Sequence, residues 1–349
     1  MSRTPREKAE EREESILGPF AVKSSSHGGR ARFEKSCPVR TAFQVDCHRV
    51  VHSKAFRRLK GKTQVFLWPE GDHYRTRLTH CQEVSQIART LARAMDLNED
   101  LAEVISLAHD LGHTPFGHAG EEVMQKLVPG GFRHEQQSLR VVKRLENEGR
   151  GLNLTEEVRD GILRHSKGAG PFLGVPDEML PRTLEGQVVR LADVVAYANH
   201  DLDDALRAGV IDQGDLPPSV EEVLGKNHSA RLTRLVLDIT EHTDLQKERR
   251  ITMGVEAAGA LEELRAFLYK NVYYNDRVHS EFHKASALIE QLWNYFIEDM
   301  DRFYENHWPS ALRDGAPEDD VRDFLAGMTD AFAVNLHERV FMPRRWYAP

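Results

Sequence analysis

EGQVVRLADVVAYANHDLDDAL, residues 185–206, decides the fold class. Val188, Val189, Leu191, Ala192, Val194 and Val195 cluster at helical rather than alternating spacing, and no proline interrupts them. Asp193, Tyr197 and Asp201 recur at i, i+4 and i+8, with Asp204 at i+11, so they form one polar stripe along a largely apolar helix. A carboxylate in such surroundings is costly without compensation. The stripe is therefore expected to line a cavity; the alternative is a solvated face with Asp193 paired to Arg190.

Working outward, the same period predicts helices from about residue 43 and over 83–95, 99–109, 119–128, 134–148, 155–165, 184–207, 219–240, 255–274 and 276–306. In 99–109, Asn98 can cap the start, Leu101, Val104, Ile105 and Ala108 make the apolar stripe, and Gly112 follows the end. Strand-like alternation is almost absent, so the expected fold is all-α. Breaks fall at 168–181 and 212–219, both too short for an obvious interdomain linker. Residues 1–40 lack a sustained apolar period and read as an arm, loose or docked on a neighbour.

Composition sets the outer bounds. Over 349 residues, 40% hydrophobic and 29% charged residues describe a globular chain rather than a disordered or fibrous one. No window approaches the roughly 18 apolar residues needed to cross a bilayer, and the N-terminus is charged where a signal peptide is apolar. No membrane association and a cytoplasmic location are expected. The net charge of −8 argues against a general nucleic-acid coat, so any polyanion must meet local basic clusters. Cys37, Cys47 and Cys81 are odd in number and lack CxxC spacing, which indicates reduced thiols. Seventeen histidines are the informative feature, because imidazole suits metals and proton transfer near neutral pH.

Several of them fall in HDLGHTPFGHAGEE, residues 109–122, where an apolar helix runs into His109 and Asp110 before Gly112 and Pro115 break it. Neighbouring helical residues diverge by about 100°, so these two can flank one metal only if other helices complete the shell. His80, in RTRLTHCQEVSQIA, and Asp193 are the candidates. His134 and His165 leave a two-metal arrangement open.

The ordered blocks AFRRLKGKTQVF, GDHYRTRLTH, HDLGHTPFGHAGEE, GFRHEQQSLRVV and ADVVAYANHDLDDALRAG closely resemble the bacterial deoxyguanosinetriphosphate triphosphohydrolase-like proteins, HD-domain metallohydrolases related to the vertebrate SAM and HD domain dNTP hydrolase. The resemblance runs from about residue 13 to at least 210. It implies an N-terminal arm (1–40), a helical HD metallohydrolase core (41–210) and additional C-terminal helices (211–349) packed on that core. It also implies one divalent metal, Mn, Mg, Fe, Co, Ni or Zn, on His80, His109, Asp110 and Asp193. The implied reaction is hydrolysis of a dNTP to deoxynucleoside and inorganic tripolyphosphate by water attack at the α-phosphorus.

Within that reaction, His118 is the expected proton donor to the leaving 5′ oxygen, with Glu121 three residues on to orient it. His134 is assigned secondary catalysis or phosphate contact and His113 a phosphate contact. Arg77, on the same helical side as His80, resembles the family's phosphate-binding arginine, with Arg57, Arg58, Lys60 and Lys62 as further basic groups. If Asp193 holds the metal, Tyr197 lies about 6 Å and Asp201 about 12 Å further along the helix, on the scale of a sugar beyond the α-phosphate. Tyr197 is then expected under the sugar, Asp201 on its 3′ hydroxyl, and Gln64 as another sugar contact.

Two departures stand out within the resemblance: HEQQ at 134–137 where relatives commonly read His-Asn-Glu-Gln, and Cys47-His48 in place of a charged pair. Family analogy implies a homo-oligomer, a hexamer, and a nucleotide or single-stranded DNA effector. Two other readings stay open at this stage. One is an HD phosphohydrolase acting on nucleoside monophosphates or cyclic nucleotides; the other is a non-catalytic nucleotide- or single-stranded-DNA-responsive regulator with a structural metal.

Overall fold

The apolar stripe that opens the sequence reading becomes the 24-residue helix Leu184–Arg207, whose Val188, Val189, Ala192, Val194 and Val195 are fully buried. The computed structural model describes residues 3–64, 74–166, 170–273, 275–313 and 315–343. Residues 65–66 and 71–73 of the sequence blocks quoted above, and the start of the 168–181 break, lie outside the described residues. In chain order the helices are α1 (Pro5–Ile16), α2 (Ala42–Val51), α3 (Lys54–Arg58), α4 (Arg77–Ala94), α5 (Glu99–Ala108), α6 (Gly117–Leu127), α7 (His134–Arg140) and α8 (Glu156–Arg164). They continue as α9 (Leu184–Arg207), α10 (His228–His242), α11 (Val255–Leu268), α12 (Asp276–Glu298), α13 (Met300–Asn306), α14 (Pro317–Ala326) and α15 (Asp330–Phe341). The only strand-like pairings among the described residues are the isolated bridges Arg30 to Thr155 and Thr63 to Thr76. The protein is all-α.

Two apolar cores organise these helices. The larger packs α2, α4, α5, α8, α9, α10 and α11 through residues such as Val84, Ile105, Val158, Val188, Leu235 and Leu261. The second joins α6 to α12, α13, α14 and α15 through Val123, Met124, Ile289, Phe296, Phe303 and Val321. Residues 109–117 link α5 of the first core to α6 of the second. The histidine-rich turn therefore sits at their seam.

Local chemistry sets where helices start and stop. Asn98 accepts from the Leu101 amide at 3.2 Å, capping α5 as its position suggests. The expected helix 219–240 is divided: Gly225 takes φ +109°, Asn227 caps α10, and only a short π-helical turn, Val220–Leu224, precedes them. Asp299 likewise caps α13 and ends the run expected to continue unbroken to 306. The N-terminal arm is more ordered than its composition suggests. Thr4 and Glu7 form a capping box at α1, and the segment docks on its own chain: Val22 N donates to Glu185 at 2.9 Å, and Arg30 pairs with the buried Asp46. Among the described residues no helix is long and apolar enough to cross a membrane.

Candidate functional site

Three helices deliver the expected ligand set to one place. His80 comes from the second turn of α4, His109 and Asp110 from the end of α5, and Asp193 from the middle of α9. His80 Nε2 is 3.1 Å from Asp193 Oδ1, and His109 Nε2 is 3.9 Å from that oxygen and 3.5 Å from Asp110 Oδ1. Ligand atoms of His80, His109 and Asp110 lie within 4.8 Å of one another, and all three residues are buried.

The tautomers follow from the surroundings. His109 Nδ1 donates to the Ser106 carbonyl at 2.6 Å, which leaves the Nε2 lone pair facing the carboxylates. That Nε2 is buried and has no hydrogen-bond partner among the described residues. An orphaned imidazole nitrogen beside two carboxylates and a second imidazole is a donor set suited to a divalent transition metal. Burial acts to raise the Asp110 pKa, but the positive charge gathered around it, that of the Arg77 guanidinium included, outweighs it and holds the carboxyl well below the usual range. Asp110 is thus ready to ligate as an anion. Arg77 Nη1 donates to its Oδ2 at 2.7 Å, leaving Oδ1 toward His109. Arg77 is 2% exposed, and its Nε and Nη2 have no partner among the described residues.

Beside this cluster lies a second set of imidazoles. His134 Nδ1 donates to Glu121 Oε1 at 2.8 Å, and the His134 amide donates to the same oxygen at 3.0 Å. His165 gives its Nδ1 proton to Ile162 O at 2.7 Å, so its Nε2 can accept from His134 Nε2 at 3.2 Å. Burial works against charge on His134, yet Glu121 prevails and raises its pKa to about 9. His165 is pushed the other way, to about 3, by burial and its cationic neighbours. His113 stacks on His134, with centroids 4.6 Å apart and planes at 19°, and its Nε2 is 3.6 Å from Glu121 Oε2.

Glu121, expected to orient His118, pairs here with His134. His118 and Glu121 both sit on α6, but Glu121 turns to His134 and His113, because the His134 amide and imidazole together offer it two donors. His118 is exposed and instead stands by Tyr197 and Tyr273, with ring centroids 6.4 and 6.3 Å away. Glu135, the residue that departs from the family wording, is buried, pairs with Arg133 and lies 3.7 Å from His134 Nδ1.

The stripe on α9 runs away from the metal ligands as its spacing suggests. Tyr197 packs in parallel with Tyr273, centroids 5.9 Å apart, and Tyr273 donates its hydroxyl proton to Asp201. Burial raises the Asp201 pKa to about 7. Asp204 leaves this group and pairs with Arg75 at 2.6 Å. Gln64 is buried; its carbonyl oxygen and that of Thr63 lie 3.3 and 3.5 Å from where a Cβ on Gly117 would stand, with Arg77 Nη2 at 3.4 Å. Gly117 has φ +56°, so the turn passes close to all three groups.

Of the basic run, Arg58 and Lys60 are exposed and Arg57 donates to His52 O at 2.7 Å. Lys62 departs from expectation: it is buried, and backbone carbonyls occupy its amine. Tyr273 carried no signal in the sequence reading, since it ends a π-helical turn, Tyr269–Tyr273, far along the chain from the other motifs.

Comparison with known proteins agrees with this geometry. The HD domain model matches residues 77–198, spanning all four ligand candidates, and a phosphohydrolase-associated domain model matches 251–339. A deoxyguanosinetriphosphate triphosphohydrolase-like protein of Caldanaerobacter subterraneus subsp. tengcongensis is 50% identical over 98% of this chain and 97% of its own length. The chain belongs to the deoxyguanosinetriphosphate triphosphohydrolase-like family. Similarly named proteins of Desulfatibacillum aliphaticivorans and Clostridium perfringens are 48% and 44% identical, each over 97% of this chain and 99% and 98% of their own lengths. HD domains bind divalent metals, and the His80, His109 and Asp110 cluster is one group here that could hold such an ion.

Proposed function

We propose that this protein hydrolyses deoxynucleoside triphosphates to deoxynucleoside and inorganic tripolyphosphate, with water attacking the α-phosphorus. The observation that carries the reading is the meeting of His80, His109, Asp110 and Asp193, with the His109 Nε2 lone pair left unused beside two carboxylates. These four residues would hold one divalent metal. When bound, such an ion supplies Lewis-acid charge for phosphoryl oxygens and lowers the pKa of water.

The chain's own groups supply the rest. Arg77, with Nε and Nη2 uncommitted, offers a fork to phosphate oxygens while Nη1 orients Asp110. His134, kept protonated by Glu121, can give a proton at neutral pH. His118 stands between that pair and the tyrosines, where its imidazole can donate a hydrogen bond to the leaving 5′ oxygen. Tyr197, Tyr273 and Asp201 form an aromatic and carboxylate pocket suited to a sugar: a ring face to pack on, and an acceptor for a hydroxyl. Names carried by the relatives support a guanine nucleotide among the substrates.

The test is incubation of the full chain with each dNTP and with Mn, Mg, Co, Ni, Fe or Zn, followed by product chromatography. Deoxynucleoside plus tripolyphosphate is expected. Release of pyrophosphate or single phosphate, or turnover of monophosphates or cyclic nucleotides alone, would overturn the assignment.

A further inference from the structure

Lys62 belongs to a run whose neighbours face water, yet it is 2% exposed. Its Nζ donates to the His113 carbonyl and, at 2.7 Å, to the Ala326 carbonyl at the end of α14. Its own carbonyl accepts from the Arg77 amide at 3.1 Å. The next residue continues the junction: the Thr63 amide donates to Asp330 Oδ2 at 2.9 Å and its hydroxyl to the same oxygen, while Asp330 Oδ1 accepts from the Phe116 amide at 2.9 Å. Residues 62 and 63 therefore tie together the first turn of α4, the turn 109–117 and the C-terminal helices α14 and α15.

Packing alone does not fix that turn. Behind it lies a cavity of about 340 Å³ whose lining includes Lys62, Leu111, Gly112, Gln137, Ala326 and Thr329. Interiors normally hold a segment in place through close contact on every side. On this side hydrogen bonds must do so. An amine buried against two carbonyls is also a poor choice for stability alone, since a methionine of similar length would avoid its desolvation.

We propose that Lys62 is a positioning residue of the phosphohydrolase site, its amine pinning the His113 carbonyl to the end of α14 and so holding His113 against His134 and Arg77 against Asp110. The inference deepens the triphosphohydrolase reading and rests on it for its catalytic consequence. It makes the C-terminal helices part of the catalytic frame, although their side chains touch none of the four candidate metal ligands directly among the contacts described.

The test uses the full-length, metal-loaded protein carrying Lys62→Met. The expected result is a fall in kcat of about tenfold or more with KM changed less than about twofold, the pattern of a displaced catalytic group. Amides of 110–118 should exchange hydrogen faster while those of α10 keep their protection. Unchanged kcat and unchanged exchange in 110–118 would overturn the proposal, as would a fall in kcat matched by loss of protection throughout. Asp330→Asn, which weakens the same junction and leaves the lysine in place, should give the same split and decides the matter if Lys62→Met does not fold. A wild-type protein that turns over no dNTP refutes the triphosphohydrolase reading; hydrogen exchange, which needs no substrate, still tests the junction.

Discussion

Arg77 carries two duties on one guanidinium. Nη1 holds the candidate ligand Asp110, and on the proposed reading Nε and Nη2 would meet a triphosphate of about four negative charges in a protein of net charge −8. Arg77→Lys keeps a charge but loses the fork. It should raise KM for the triphosphate by about tenfold and weaken metal retention, because Asp110 loses its partner. Steady-state kinetics across a metal titration reads both effects; if neither moves, Arg77 is not at the phosphates. Glu121 presents the complementary case, since its carboxylate is what keeps His134 protonated against burial. Glu121→Gln should lower kcat by about 10²-fold with little change in KM, in the range typical of losing a general acid. A loss equal to that of His118→Ala, with His134→Asn harmless, would return the proton to His118. Residue type and helical spacing singled out His80, His109, Asp110 and Asp193 as candidates that the fold brings together, while Arg77 and His134 were named through the family resemblance. The sequence pointed Glu121 at His118, its neighbour three residues back on one helix, because the approach of His134, thirteen positions away, is not visible until the turn between α6 and α7 is folded.

At the scale of elements, close approach and burial decide what tolerates change. Gly112 touches α7 so closely that a Cβ would stand 2.1 Å from the Ser138 amide nitrogen, and its own amide donates to Ser138 Oγ at 2.8 Å. Gly112→Ala must push α7, and with it His134, away from the metal ligands. It should destabilise by about 1–3 kcal/mol, as overpacking does, and lower activity more than stability, which thermal unfolding and kinetics together would show. A different element binds the arm. Glu185, fully buried at the start of α9, accepts from the Val22 amide at 2.9 Å and the Asn98 amide at 3.1 Å through one oxygen. Burial raises its pKa to about 7. An acid whose folded pKa lies above its unfolded value binds its proton more tightly when folded, so stability falls as pH rises from about 4.5 to about 7. Glu185→Gln keeps the acceptor and removes the titration. Its Tm should exceed that of the wild type at pH 8 and converge with it near pH 5. Equal differences at both pH values would show that Glu185 does not titrate in this window. Periodicity predicted α5, α9 and α11 well because each buries one continuous stripe. It missed the division at Gly225 and the order of the arm, which depend on a left-handed glycine and on polar contacts between distant residues that leave no period.

Across the whole molecule, the ligands stand where three helices of the larger core converge, close to its seam with the smaller one, and bringing two imidazoles and two carboxylates together there opposes folding until a cation arrives. Sequence order could not show that α6 leaves the first core for the second. Nor could it distinguish Lys62 from Arg58 and Lys60, because a basic run has the same pattern whether its side chains reach water or backbone carbonyls. An ion bound there would be a stabiliser as well as the proposed reagent. A ligand at about a hundred times its Kd adds roughly 2.7 kcal/mol to the folded state, which for a chain of this length is a rise in Tm of a few degrees. Chelation should therefore lower Tm and abolish turnover together, and adding back a single metal should restore both. Asp193→Ala is the informative companion, because it removes one candidate ligand and with it the hydrogen-bonded partner of His80. It should erase the metal-dependent rise in Tm and the activity together. A wild-type Tm that ignores both chelator and added metal would mean that no ion occupies the cluster; an Asp193→Ala protein that still gains stability from the metal would place the ion elsewhere, at one of the two neighbouring groups with ligand atoms close enough to hold one, Asp110 with His113 and His134 or Glu121 with His134 and Glu135.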